Sequence, residues 1–215
     1  YKLLDDSLRF HNEELLYEQA ISKMLVDEDL FVTSENRYSL SMLYYAEKRI
    51  LEFFQRRKDE KNRKIIATFD EYLIKKQETL GFELSPEQKK AVELINNGDK
   101  TLFLIGYAGT GKSTSSRAIL ELLEETMSYD DIMTIALSGI ASQRIADTTG
   151  YNSSTIQSLL MKHKEKDFFP YKAILLDEAS MVNSVTFYQI ISKIDDDTIF
   201  IIVGDDGQLP AIGAG

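Results

Sequence analysis

Apolar positions along the chain fall into two regimes. From about Asn12 to Glu28 they recur at helical spacing (Leu15, Leu16, Ala20, Ile21, Met24, Leu25) and predict an amphipathic helix. Two short runs, Leu30-Phe31-Val32-Thr33 and Tyr38-Ser39-Leu40, flank the polar stretch Ser34-Glu35-Asn36 and predict a β-hairpin. The helical period returns from about Ser41 to Arg57, with Leu43, Ala46, Ile50, Leu51 and Phe54 on one side. A further helix is expected from about Lys64 to Thr79, ended at Leu80-Gly81, because glycine readily takes the left-handed conformation that stops a helix. From Leu84 the pattern changes. Strand-length apolar runs at 101–105, 132–137, 173–176 and 198–203 alternate with helical stretches. Such runs suit a parallel sheet covered on both faces. The predicted fold is α/β, a parallel sheet with helices on both faces, preceded by a small, mainly helical domain with a β-hairpin. The expected boundaries are a helical or winged accessory domain over 1–63, a linker helix over 64–83 and the α/β domain over 84–215.

Composition narrows this picture modestly. The 215 residues suffice for a sizeable core, and 43% hydrophobic content is ordinary for a globular protein. The longest apolar stretches are strand-sized, so no membrane span is expected. Cysteine is absent, which excludes disulfides and thiolate metal sites, and a cytoplasmic location is expected. The net charge of −10 argues against a generally basic DNA-binding module. Residues 1–83 carry 14 basic against 17 acidic side chains, and the remainder 11 against 18. Any nucleic-acid contact must therefore be local. The basic run Lys48-Arg49 through Arg56-Arg57-Lys58, Lys61 and Arg63-Lys64 has two readings, a local contact to a phosphate backbone or, because Glu47, Glu52, Asp59 and Glu60 interleave it, a solvated helix face.

The chemistry concentrates in Gly106-Tyr107-Ala108-Gly109-Thr110-Gly111-Lys112-Ser113-Thr114. This run fits the phosphate-loop pattern G-x-x-x-x-G-K-[ST], and it lies between a predicted strand and a predicted helix. Glycines let successive backbone N–H groups face one phosphate, and the helix N-terminus adds partial positive charge. Lys112 is expected to bridge the β- and γ-phosphates of ATP, and the Ser113 hydroxyl to hold Mg²⁺. The alternative is a glycine-rich turn that binds nothing. Sixty-five residues on, the apolar run Ala173 to Leu176 ends in Asp177-Glu178. Asp177 is expected to bind Mg²⁺ through water, and Glu178 to take the proton of the attacking water. The run 200–203 then delivers Gly204-Asp205-Asp206-Gly207-Gln208, where Gln208 either senses the γ-phosphate or sits in a simple turn. Upstream, Ser85, Pro86 and Gln88 fit a capped helix start, and capping alone accounts for them.

Taken in order, LSPEQKKAV, GYAGTGKST, ALSGIASQRIADTTGYNSSTIQSLL, ILLDEASMV and GDDGQLPAIGAG resemble superfamily 1 DNA helicases of the RecD/TraA type over residues 84–215. The resemblance implies a RecA-like P-loop NTPase fold, with Gln88 bonding adenine, Ser138 and Gly139 meeting single-stranded DNA, and Gln208 coupling the γ-phosphate to DNA. It also implies 5′ to 3′ movement, recombination or repair proteins as partners, and a second RecA-like domain of the same parent chain that supplies arginine fingers. A chain ending at Gly215 is then expected to be a fragment carrying most of the first motor domain, nearly inactive alone. Residues 1–83, including Leu43-Tyr44-Tyr45-Ala46-Glu47, resemble the N-terminal region of bacterial RecD-like proteins more loosely. Two departures stand out. Where the family often reads A-P-T-G-R, this chain has Ala136-Leu137-Ser138-Gly139-Ile140, and a later Thr-Ile-His is Thr155-Ile156-Gln157. The Ile140-Ala141 pair is similar to the Pif-like branch. Two readings from other classes stay open: a non-motor subunit using nucleotide as a switch or scaffold, and a P-loop kinase.

Overall fold

In the computed structural model the described residues are 15–32, 38–107 and 109–205. They fall into two compact units that divide between Arg49 and Ile50, inside one helix. In the first unit, residues 15–26 are helical (α1). β1 (Leu30–Val32) then pairs antiparallel with β2 (Tyr38–Leu40), Leu30 facing Leu40. The expected turn at Ser34 to Asn36 lies outside the described residues. α2 (Ser41–Arg57) follows β2 directly. Its first residue is fixed by the Ser41 N–H donating to Asp29 O (2.9 Å) and the Ser41 hydroxyl donating to Glu28 O (2.6 Å). Helix, hairpin and helix thus occur where the periodicity put them.

The second unit contains the end of α2, α3 (Phe69–Leu80), α4 (Pro86–Asn96), β3 (Thr101–Ile105), α5 (Lys112–Leu123), β4 (Ile132–Ala136), α6 (Gly139–Thr149), β5 (Ser153–Thr155), α7 (Ile156–Lys162), β6 (Ala173–Leu176), α8 (Ser184–Ile191) and β7 (Ile199–Gly204). All five strands of its sheet are parallel, in the order β3-β7-β6-β4-β5. The last strand is therefore inserted between the first and the fourth, β3 and β6. The central strands are buried throughout, and their residues alternate between two cores. Ile132, Leu175, Ile201 and Val203 pack with Val92, Ile95, Ile119 and Leu123 of α4 and α5. Met133, Ile135, Ile174, Leu176, Phe200 and Ile202 pack on the other face with Phe53, Leu159 and Ile190. Helices on both faces follow from this alternation, as expected.

The expected linker region departs from its prediction. Its helix starts at Phe69 rather than at residue 64, and residues 62–66 run along the end of α4 instead. Asn62 N–H donates to Gly98 O (2.7 Å) and Ile65 N–H to Asn96 O (3.0 Å). The buried Asn96 side chain accepts from Ile66 N–H (2.9 Å) and donates to Ile66 O (3.2 Å). Those bonds occupy backbone groups that a helical turn would need. Gly98 makes the approach feasible: at φ 92° a Cβ there would stand 2.1 Å from Asn62 O. Ile65, Ile66, Phe69, Tyr72 and Leu73 join the core, so this stretch belongs to the same compact unit as the sheet. No described helix is long and apolar enough to cross a membrane.

Arg57, in the basic run that both readings place at the surface, is 2% exposed. Its guanidinium donates to Thr101 Oγ1 (3.0 Å), Lys100 O (3.0 Å), Asp195 O (3.2 Å), Asp196 O (3.1 Å) and Thr198 O, and it lies 5.1 Å over the Phe53 ring. All five donors are used. The side chain ties the end of α2 to the amino ends of β3 and β7. Arg57→Ala leaves Asp196 O and Thr198 O without their donor, takes the second donor from Lys100 O and Asp195 O, and should cost about 2–5 kcal/mol of stability in a denaturant titration. Arg57→Lys should also destabilise, since an ammonium offers three donors in another geometry.

His163 is buried, stacks edge-on against Phe169 and Tyr171, and has no hydrogen-bond partner on either ring nitrogen among the described residues. Burial, then the charges of Lys166, Lys162 and Lys193, push its pKa below the usual 6.5. The unfolded chain then binds a proton more readily than the folded one, so stability should be full above about pH 6.5 and fall as the pH drops below it. Thermal melts between pH 7.5 and 5 should show this decline. His163→Leu should flatten it, because the only other histidine is His11.

Candidate active site

Parallel pairing brings the carboxyl ends of β3, β6 and β7 to one edge of the sheet, and a cleft of about 390 Å³ opens there. Gly109, Gly111, Lys112, Ser113, Asp177 and Glu178 line it, together with Arg144 and Asp205, two residues that sequence reasoning did not select. Lys112 and Ser113 are the first residues of α5, so the helix N-terminus faces the cleft. Gly109 and Gly111 have φ of 81° and 83°, the left-handed backbone that the loop pattern demands. The loop is further bent by Thr110, whose hydroxyl donates to Tyr107 O (2.8 Å). Lys112 Nζ donates to Gly106 O (2.5 Å) and Tyr107 O (2.8 Å), and lies 3.7 Å from Asp205 Oδ2. Ser113 is exposed and Thr114 half-buried. Ala108 lies outside the described residues, as does Gln208.

Gln88 acts twice. It completes a capping box at the start of α4: Ser85 N–H donates to Gln88 Oε1 (2.8 Å), and Gln88 N–H donates to the Ser85 hydroxyl (3.3 Å). Its remaining amide nitrogen donates to Gly111 O (3.2 Å). A Cβ on Gly111 would stand 2.4 Å from that nitrogen and would displace the Gln88 amide, while the φ of 83° is what favours glycine there. Capping, which accounts for this residue in the sequence, thus also ties α4 to the phosphate loop.

The acidic pair lies at the end of β6. Asp177 Oδ1 accepts from the Glu178 N–H (2.9 Å), and burial raises the Asp177 pKa above the ordinary carboxylate range. Glu178 itself has φ 54° and ψ 36°, a left-handed conformation that costs a non-glycine residue about 1–2 kcal/mol. Its Oε1 accepts from Arg144 Nη2 of α6 at 2.5 Å, and the same nitrogen is 3.8 Å from Asp177 Oδ2. Arg144 gives no signal in the sequence, because its pairing depends on how α6 packs on β4. Asp205 had one: it follows an apolar strand within the quoted GDDGQLP segment. Ser138 caps α6, accepting from Ala141 N–H (3.1 Å), and Gly139 opens the helix. They stand apart from the cleft-lining residues.

The Ser113 hydroxyl and the Asp177 carboxylate offer oxygen donors to a cation, and among the described residues no group of three acidic or histidine side chains is arranged to hold a metal ion by itself. Such a sparse hard-oxygen set fits Mg²⁺, which keeps waters and takes further ligands from phosphates. Because Asp177 is charged at a cost when folded, its contribution to stability worsens as the pH rises through the interval from its unfolded to its raised folded pKa. Asp177→Asn should therefore raise the melting temperature at pH 7 by about 2–6 °C without nucleotide or Mg²⁺, and the gain should vanish below the ordinary aspartate pKa.

Residues 83–215 match the AAA domain family. The chain is similar to the ATP-dependent RecD2 DNA helicase of Deinococcus radiodurans, at 28% identity over 196 residues, covering 85% of this chain and 26% of that protein. That share of the chain exceeds residues 83–215 alone, so the likeness extends upstream of the phosphate loop. A probable conjugal transfer protein TraA of Sinorhizobium fredii is 33% identical over 137 residues, covering 61% of this chain and 12% of that protein. The chain thus spans about a quarter or less of the length of these relatives. Among solved structures, the UvsW helicase of bacteriophage T4 shares the fold, with a TM-score of 0.53 at 16% identity over 80% of this chain and 73% of that one. By the AAA domain match and its RecD2 and TraA relatives, the chain belongs to the AAA domain family as a RecD-like member of helicase superfamily 1.

Proposed function

We propose that this protein is an ATP-dependent DNA helicase that couples ATP hydrolysis to translocation on single-stranded DNA, in the 5′ to 3′ direction. The observation that carries the proposal is the cleft itself: Lys112 at a helix N-terminus faces Asp177 and Glu178 across the carboxyl edge of one parallel sheet. The curled loop from Gly106 to Gly111 offers backbone N–H groups to the phosphates, and Lys112 exchanges loop carbonyls for the β- and γ-phosphate oxygens. Ser113 and Asp177 would hold Mg²⁺, which would offset charge on those oxygens. Glu178 accepts the proton of the water attacking the γ-phosphorus as the bond to the β-γ bridging oxygen breaks, leaving ADP and inorganic phosphate. Gln88, beside the loop, bonds adenine, and Gln208 couples the γ-phosphate to DNA.

Ser138 and Gly139 are the proposed DNA contacts. The site for them is supported by the open surface at the start of α6: nothing lies within 4 Å of a Cβ on Gly139, so the fold itself does not demand glycine there. A second RecA-like domain of the same protein would close the cleft from the opposite side, and recombination or repair proteins are the proposed partners.

Phosphate release by the full-length protein, with and without single-stranded DNA, tests this reading. DNA should stimulate release, and Lys112→Ala should lower it by about 10²–10³-fold with an unchanged circular dichroism spectrum. Nucleotide bound without turnover in either condition would instead mark a switch or scaffold, and transfer of phosphate to an acceptor would mark a kinase.

A further inference from the structure

Between α7 and β6 several cations stand together without carboxylate partners. Elsewhere in the same unit Lys61, Lys90, Lys100, Arg117 and Lys172 each hold an acidic side chain. Lys162, Lys164 and Lys166 are exposed and form no ion pair among the described residues, although Glu165 and Asp167 lie beside them in the sequence. In a chain of net charge −10 such a group is the local exception that contact with a phosphate backbone requires. Two large apolar side chains accompany it: Met161 is 65% exposed and Phe168 49%.

The loop is built to hold that surface still. Lys193 Nζ donates to His163 O (3.1 Å), Lys164 O (3.3 Å) and Lys166 O (2.6 Å). Phe169 N–H donates to Lys193 O (2.8 Å), and the buried rings of His163 and Phe169 meet edge-on. Phe169 is thus anchored inside while its neighbour Phe168 stays outside. An aromatic ring beside lysines is the combination that stacks a base of a single strand and neutralises its backbone.

The loop also lies in line with the start of α6. Ala136 of β4 pairs with Thr155 of β5, Ser138 caps α6, and Thr155 caps α7. The two helix starts are therefore within about 10 Å of each other at one edge of the sheet. α7 buries Ile156 and Leu159 and exposes Gln157, Ser158, Met161 and Lys162. Its seven residues carry that exposed side about 10 Å along the axis to the loop.

We propose that residues 161–168 form a second contact for single-stranded DNA, reached from the start of α6 along the outer side of α7. Lys162, Lys164 and Lys166 neutralise phosphates, Phe168 takes a base on its ring, and Met161 adds apolar contact. The inference rests on the reading of the start of α6 as DNA-facing.

The test is fluorescence anisotropy of the full-length protein with a labelled thymidine oligonucleotide, over a range of salt. Replacing Lys162, Lys164 and Lys166 together by Gln should lower the slope of log affinity against log salt by about 2, from three phosphate contacts at about 0.7 each. Phe168→Ala should weaken binding about five- to tenfold and leave the slope unchanged. Circular dichroism and DNA-free phosphate release should match the parent protein, since none of these residues lines the cleft. Unchanged affinity in both loop variants overturns the inference. So does an equal fall in slope when Lys75, Lys90 and Arg117 are replaced by Gln, which would reduce the effect to overall charge. Gly139→Glu separates the inference from the reading beneath it. If Gly139→Glu weakens binding and the loop variants do not, the α6 contact stands and the inference falls. Binding indifferent to Gly139→Glu overturns the α6 reading, and the path along α7 with it.

Discussion

Parallel pairing sends every strand's carboxyl end to the same edge of the sheet, and most of this molecule's chemistry depends on that constraint. Because β7 enters between β3 and β6, the phosphate loop and the acidic pair are separated by one strand, and Asp205 falls between them. Two cations, Lys112 and Arg144, then face three carboxylates, Asp177, Glu178 and Asp205, in one cleft. None of these side chains is near another in the sequence except Asp177 and Glu178. Their meeting follows from strand order together with the docking of α5 and α6 on the sheet.

The amino end of the sheet is treated in the opposite way. There the guanidinium of Arg57 is enclosed and every donor is matched by a carbonyl or hydroxyl. At the carboxyl end the charges are partly exposed, share partners and sit on unusual backbone at Gly109, Gly111 and Glu178. A buried network with every group satisfied holds one arrangement. Charges with interchangeable partners leave room for ligands, which is what a site of turnover requires.

Much of this was legible beforehand, for identifiable reasons. The three central strands β4, β6 and β7 announced themselves because strands covered on both faces must be continuously apolar, and the edge strand β3 was legible from the same kind of run although Phe103 and Ile105 are exposed. The phosphate loop and Asp177-Glu178 were legible because their chemistry is local. β5 was not: Ser153, Ser154 and Thr155 are polar, and they form a strand only because β4 offers Thr134, Ile135 and Ala136 as partners. The burial of Arg57 was hidden for a related reason. In one dimension it belongs to a mixed-charge run, and only the loop after α8 and the ends of β3 and β7 supply its acceptors. The early part of the 64–79 helix gave way to Asn96 and Gly98, contacts some thirty residues distant. Arg144 falls in the same class, since α6 must be docked before its reach to Glu178 exists.

The bracing of the phosphate loop by Gln88 limits what can ever replace that residue. Position 88 must accept a bond from Ser85 N–H and at the same time donate one to Gly111 O, across a fixed distance. Glutamate accepts but cannot donate, lysine donates but cannot accept, and asparagine is one carbon shorter. Glutamine alone meets both demands without a change in charge or length. Drift at this position is therefore closed off by the loop even before any ligand is considered, and the helix start and the phosphate loop must change together or not at all.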